Sequence, residues 1–249
     1  MRVLHLDTVD STNTYALRHF AEVADSTLVS AREQTSGRGR LGRRWIAPPG
    51  RNLTASLAMS RIVSGFHAGA VAGLAALDLV REAVPEADPY LKWPNDVYAG
   101  DAKLAGILCE GRMEHGELAG VVAGIGLNVN LSAAEAAGID QRAASLKILA
   151  PERNFSVASL AERLAFFLER WYSNYDCSRE STLAAWRKEN RLIGRSITVV
   201  DPAGRLLAGR FAAIDDDGSM ILETPQGKCV FRCGDVKIAR GFDPAISNN

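Results

Sequence analysis

The sequence predicts an α+β fold: a mixed β-sheet domain with helices packed on it, followed by a small SH3-like β-barrel. Two observations predict it. Segments of strand and helix character alternate through the first two thirds of the 249 residues, and a mixed sheet covered by helices is the economical way to bury their apolar faces. After Gly194 the character changes to short strands split by turn signals. Hydrophobic residues make up 47% of the chain, enough for a core in both parts. The division falls at residues 1–192 and 193–249.

Residues 2–6 read as the first strand, and Ser11 stands where an N-cap opens a helix running to Ala24. Residues 27–32 form a second strand and 53–59 a third, with period-two alternation. An alanine-rich helix follows over 66–84, with Val71, Leu74, Ala75 and Leu77 among its apolar positions. Pro85 and Pro89 bracket its exit. Short strands come next at 90–92, 97–98, 104–110 and 118–127, the last two joined by a turn at Glu114-His115-Gly116. Amphipathic helices over 156–175 and 181–190 close the first domain. In the second, strands at 197–200, 206–214, 220–224 and 228–231 are separated by Pro202-Ala203-Gly204, Asp215-Asp216-Asp217-Gly218 and Pro225-Gln226-Gly227. Strands so closely spaced make a barrel of SH3-like size.

A formal net charge of zero argues against DNA binding through general surface charge. No apolar run approaches the roughly 20 residues that cross a bilayer. The N-terminus meets an acid at Asp7 and lacks a signal-peptide layout. Cys109, Cys177, Cys229 and Cys233 are scattered, as in a reduced, cytoplasmic protein. The close pair Cys229 and Cys233 has no histidine or second thiol pair beside it and makes a poor metal site.

Against this neutral background, Gly37-Arg38-Gly39-Arg40-Leu41-Gly42-Arg43-Arg44-Trp45 places three glycines and four arginines in nine residues. Arginine offers paired donors to carboxylate and phosphate oxygens, and glycine lets the main chain approach a ligand closely. The stretch reads as a loop that wraps a small, multiply charged anion and is ordered by it. It lacks the ending of a P-loop and has no dinucleotide fingerprint. Lys92-Trp93-Pro94-Asn95-Asp96 gathers a cation, an indole, a rigid kink and two acceptor side chains; alone, it reads equally as a strand-ending Asx turn. Lys103-Leu104-Ala105-Gly106-Ile107-Leu108 puts one lysine at the head of an apolar strand, with Gly106 marking close backbone approach. Gly124-Ile125-Gly126-Leu127-Asn128-Val129-Asn130 ends a buried strand in two glycines and two amides, and asparagines at such an end can read an adenine edge or make a turn.

The order of these motifs, Asp10-Ser11-Thr12-Asn13, then Gln34 ahead of the arginine loop, then the three segments above, resembles the biotin–protein ligase family. The resemblance extends to Ala144-Ser145-Leu146 and to the C-terminal barrel, and so covers nearly the whole chain.

The resemblance implies an ATP-dependent ligase. It would join biotin to ATP as biotinyl-5′-AMP, release pyrophosphate, and pass biotin to one lysine of a carboxylase biotin carrier domain. Ser11, Thr12, Asn13 and Gln34 are then expected to hold the ureido ring, with backbone help near Gly37, Arg38, Gly39 and Gly106. Arg38 and Arg40 are expected to engage carboxylate and phosphate, and Lys103 to stabilise charge between them; these three form the catalytic set. Trp45 and Asn128 are the expected adenine contacts, and Arg43 joins the ATP site. Lys92, Asn95 and Asp96 are assigned to the phosphate end of ATP or to the approach of the acceptor lysine. Mg²⁺ is expected through the substrate phosphates. Since residues 2–6 already read as a strand of this domain, no N-terminal helix-turn-helix and no repressor role are expected. The oligomeric state is left open between a monomer and a homodimer paired through sheet edges.

Two alternatives are weighed. A lipoate or octanoate ligase or transferase shares the fold, but a linear acyl chain has little use for the Ser-Thr-Asn cluster. A non-catalytic RNA- or ligand-binding module gives Lys103 and the terminal amides no task.

Overall fold

The computed structural model describes residues 1–201, 203–232 and 234–237; Pro202 of the expected Pro202-Ala203-Gly204 turn, Cys233 and residues 238–249 lie outside the described residues. The first body is a seven-stranded sheet. Its strands are β1 (Arg2–Val9), β2 (Thr27–Gln34), β3 (Asn52–Met59), β4 (Tyr90–Lys92), β5 (Asp96–Ala99), β6 (Ala102–Glu114) and β7 (Glu117–Asn128), in the order β1-β2-β3-β7-β6-β5-β4. Only β1 and β2 run parallel; every other neighbour is antiparallel, which makes the sheet mixed as expected. The β6–β7 turn has positive φ at both His115 and Gly116, the backbone twist that a two-residue hairpin needs.

Helices cover the sheet unequally. The long α3 (Gly65–Ala83), α6 (Val157–Cys177) and α7 (Arg179–Glu189) pack on one face. Alanine and glycine along α3 let it sit deep between the sheet and α6, so it is buried nearly all round. On the opposite face, α1 (Thr12–Arg18) and α2 (Phe20–Val23) bury Ala16, Phe20 and Val23 against Val29, Ala58 and Val122. The helix expected over 11–24 is thus two, broken at His19, whose φ and ψ are −104° and 26°. Strand β3 is buried at all eight residues, because helices or neighbouring groups cover both its faces; the period-two pattern separates two coverings rather than core from solvent. Two short helices that the sequence reading missed, α4 (Ala133–Ala137) and α5 (Leu146–Leu149), follow β7. No helix among the described residues is long and apolar enough to cross a membrane.

Serine heads most of these helices. Ser64, Ser132, Ser145, Ser156 and Ser178 each accept a backbone N–H with the side chain. At Ser132 the box is reciprocal: Glu135 accepts from the Ser132 backbone, from Arg51 and from the Ser132 hydroxyl, and its carboxyl is held at about 2. The folded value lies below the ordinary 4.5. The contribution of Glu135 is therefore complete above that pH and is lost as pH falls towards 2. An NMR titration of the carboxyl is expected to show the low value, and Ser132→Ala to raise it only in part, because the residue 132 backbone N–H and Arg51 still donate; a parent carboxyl titrating near 4.5 would remove the box from the explanation.

The second body is a five-stranded antiparallel sheet of β8 (Ser196–Val200), β9 (Leu206–Ile214), β10 (Met220–Thr224), β11 (Gly227–Phe231) and β12 (Asp235–Lys237), in the order β11-β10-β9-β8-β12. Four of these strands match the sequence reading; β12 was missed. Among the described residues β11 and β12 are the two edges, so closure into the expected barrel is not seen. Val199, Phe211, Met220 and Leu222 join the same apolar cluster as the first body. The β9–β10 turn is gripped through its backbone. Arg187 Nε donates to Ile214 O at 2.9 Å, His67 Nε2 lies 2.8 Å from Asp216 O, and Trp93 Nε1 donates to Gly218 O at 2.9 Å. The His67 contact to a carbonyl assigns the proton to Nε2, leaving Nδ1 to accept from the Tyr175 hydroxyl at 2.9 Å.

Candidate active site

The part of the sheet that α1 and α2 leave uncovered is the floor of a pocket. Ser11, Thr12, Asn13, Gln34, Arg38, Gly39, Arg40, Arg43, Trp45, Asn95, Asp96, Lys103 and Gly106 all line it. These residues span the chain from the first helix to β6, and the sheet brings them together.

The floor is made of glycine. Gly106 and Gly126 pair across β6 and β7, and Gly124 lies two residues before Gly126 on the same face. The Trp45 indole lies on this floor: a Cβ on Gly126 would fall 2.3 Å from Trp45 Cε2, and one on Gly106 would fall 3.5 Å from Trp45 Cζ3. Trp45 Nε1 is buried without a hydrogen-bond partner. A buried donor of this kind calls for an acceptor.

One end of the pocket is a neutral polar recess. Ser11 is extended at the head of α1, yet its side chain makes no capping bond, unlike the five serines above. Its hydroxyl is thereby kept for the pocket. Gln34 Oε1 accepts from Thr12 N at 2.8 Å and Thr12 Oγ1 at 3.1 Å. Ser56 Oγ is 2.7 Å from both Thr12 Oγ1 and Asn13 Oδ1. Asn13 Nδ2 donates to Leu108 O at 3.1 Å and to Glu110 Oε2 at 2.7 Å. Apart from Ser11, whose hydroxyl faces the pocket, the side chains of the recess are fixed by one another, so the recess is preorganised.

The other end is cationic. The arginine loop folds back as a small ribbon, with Arg38 bridged to Arg44 and Trp45 N donating to Gly37 O. Each of three arginines reaches a different wall. Arg38 meets Glu110 at 3.0 Å, Arg40 donates to Asn95 Oδ1 at 2.9 Å, and Arg43 pairs with Asp235 of the second sheet. Burial raises the Asp235 carboxyl, but the Arg43 hydrogen bond and charge outweigh it and hold the group below its ordinary value. Lys103 Nζ crosses over Gly106, where a Cβ would stand 3.0 Å from it, and lies 2.7 Å from Asp96 Oδ1. The Lys103 backbone is held on both sides by Arg142 O and Ala144 N. The segment so fixed carries Gln141 to the pocket wall.

Three expected site residues are placed elsewhere. Gly37 is buried in the ribbon and lines only its outer side. Asn128, expected at adenine, accepts from Asn52 Nδ2 with its Oδ1 at 3.1 Å and donates Nδ2 to Ala144 O at 3.0 Å, away from the wall. Lys92, expected at the phosphate end, is sealed behind Asp96 with its side chain only 7% exposed. Burial depresses its ammonium, opposed by Asp96. Conversely, Thr54, Ser56, Glu110, Gln141 and Asp235 belong to the pocket or its network and were not singled out, while Gly124 and Gly126 were noted in their motif without a role. The signal for Thr54 and Ser56 was present, as polar residues two apart in an apolar strand; for Glu110 and Asp235 the partner arginines are remote in sequence. Among the described residues no group of three or more His, Cys, Asp or Glu could hold a metal ion.

The model of the biotin/lipoate A/B protein ligase family matches residues 6–128. A biotin–[acetyl-CoA-carboxylase] ligase of Mycobacterium tuberculosis is 35% identical over 237 residues, covering 91% of this chain and 85% of that protein. Its counterpart in Paracoccus denitrificans is also 35% identical, over 91% of this chain and 96% of that one. The fold is shared with the biotin protein ligase of Aquifex aeolicus solved with biotin and ATP, at a TM-score of 0.77 and 22% identity over 94% of this chain and 97% of the other.

Proposed function

The chain belongs to the biotin–protein ligase family, and from that premise we propose how its pocket divides the work. The activity is ATP-dependent: biotin is activated to biotinyl-5′-AMP with release of pyrophosphate, and the biotinyl group is passed to a protein lysine. The observation that carries the assignment is the union, in one glycine-floored pocket, of a neutral polar recess with a cationic end.

A ureido ring presents two N–H donors and one carbonyl acceptor. Ser11, Thr12, Asn13 and Gln34 offer matching hydroxyl and amide groups at fixed positions, so this recess takes the ring. The valeryl chain then runs along the edge of the Trp45 indole, which lies on Gly106 and Gly126, and its carboxylate meets Lys103. Carboxylate and α-phosphate repel each other, and a lysine between them, with Arg38, Arg40 and Arg43 around them, holds both anions at reacting distance. No protein nucleophile is needed. Trp45 covers the joined product. Mg²⁺ enters as the counter-ion of the ATP phosphates; among the described residues no group of three or more His, Cys, Asp or Glu offers it a protein site. The acceptor is the lysine of a carboxylase biotin carrier domain. Residues 1–192 carry the two substrates, and the second sheet adds Asp235.

ATP–pyrophosphate exchange on the purified protein tests this. Exchange is expected with biotin and not with lipoate or octanoate. Exchange with lipoate or octanoate in place of biotin would overturn the ureido assignment, and none with any acid would overturn the activity.

A further inference from the structure

The division of labour above leaves Lys92 without a task. It sits on β4 directly opposite Asp96 of β5 in the strand register. Its Nζ lies 3.8 Å from Asp96 Oδ2 and 5.0 Å from the centre of the Tyr98 ring. The other Asp96 oxygen, Oδ1, lines the pocket side: it is 2.7 Å from Lys103 Nζ, off the direct hydrogen-bond line, and accepts no hydrogen bond although buried. One carboxylate therefore stands between the reacting space and an amine enclosed behind it.

The surroundings of Lys92 set its proton affinity. Asp96 and Tyr98 face it from β5, Lys103 from β6, Arg40 from the arginine loop and Asp235 from β12. Burial favours the neutral amine, Lys103 and Arg40 push the same way, and Asp96 and Asp235 oppose them. The acceptor lysine has the complementary need. Free lysine titrates near ~10.4, so at neutral pH its amine is almost wholly protonated and cannot attack. A carboxylate alone is too weak a base to keep that proton; a buried amine is better matched.

Resting on the ligase reading, we propose that Lys92 is the proton store of the transfer step, taking the proton of the acceptor lysine by way of Asp96. The acceptor ammonium gives one proton to Asp96 Oδ1, and rotation of the carboxyl delivers it to the Lys92 amine. The freed lone pair attacks the acyl carbon of biotinyl-5′-AMP. The new C–N bond forms, the acyl C–O bond breaks, and its electron pair leaves with the phosphate of AMP. The second acceptor proton departs with that phosphate, and Lys92 returns its own to solvent once the products leave. Lys92 touches neither substrate, so it is a positioning and storage residue acting through Asp96.

The test compares two nucleophiles acting on the same preformed, enzyme-bound biotinyl-5′-AMP: the lysine of a biotin carrier domain, and hydroxylamine, which is already neutral at pH 7. In Lys92→Met the ratio of lysine transfer to hydroxylamine capture is expected to fall by about 100-fold at pH 7, within the range of general-base effects, and to recover as pH rises. An equal loss with both nucleophiles would show a merely structural role and overturn the proposal, as would an unchanged ratio. The unsubstituted protein supplies a second measurement that does not depend on the variant folding. Its lysine transfer should rise with pH well before the free acceptor amine does, and its hydroxylamine capture should not. Lysine transfer that only tracks the free amine would overturn the proposal. Absence of biotin-dependent pyrophosphate exchange would instead overturn the ligase reading, so the two failures are distinguishable.

Discussion

Lys103→Ala is expected to lower biotin-dependent pyrophosphate exchange by about 10²–10³-fold or more, the scale of removing one preorganised charge from a reacting centre. The fold should survive. The Lys103 backbone makes its bonds to Arg142 and Ala144 whatever the side chain, and Asp96 keeps Lys92 at 3.8 Å as a partner. Thermal unfolding within a few degrees of the parent, together with lost exchange, is the expected pair of results. Exchange within several-fold of the parent would remove Lys103 from the chemistry.

Gly124→Ala is expected to raise the KM for biotin by about 100-fold, or ~2.7 kcal/mol, with the KM for ATP far less affected. The added Cβ would stand 2.2 Å from Asn13 Oδ1 and 2.9 Å from its Cγ. Asn13 cannot swing aside without breaking its bonds to Leu108 and Glu110 and its contact with Ser56, so the recess deforms. Gly69→Ala is the control: within α3 its Cβ would meet only Cys109 Sγ at 3.5 Å, an ordinary contact, and alanine is the better helix former. Equal biotin KM values for the two variants would show that the recess does not depend on the Gly124–Asn13 approach.

Gly124 also illustrates what could be read in advance. Its motif was noticed, but for the amides that end it, whereas the glycines make the floor and Asn128 braces the neighbouring segment. Local features were legible: strand periodicity, the helix start at Ser11, the His115-Gly116 turn and the change of character after Gly194. Depth was not. Lys92 and Lys103 look alike in sequence, yet one lies behind a carboxylate and the other beside the floor, because edge strand β4 sets Lys92 across from Asp96 of β5 while Lys103 stands on β6. Pairings across long separations, Arg38 with Glu110 and Arg43 with Asp235, depend on strand order, which no local pattern encodes. The break at His19 likewise answers to tertiary packing, since Phe20 must turn onto β7.

The grip on the β9–β10 turn has an evolutionary reading. Its three acceptors, the carbonyls of Ile214, Asp216 and Gly218, belong to the main chain, and every amino acid supplies a carbonyl. The joint between the two bodies therefore recognises chiefly the path of the turn, with the Asp216 carboxylate adding one side-chain contact to Arg187. Mutations can accumulate along that turn without undocking the second sheet, provided the donors Arg187, His67 and Trp93 persist. One letter is exempt from this freedom. Gly218 has φ of +86°, and any Cβ there would lie 2.2 Å from Phe66 Cγ, so a single position carries the heritable signature of the joint.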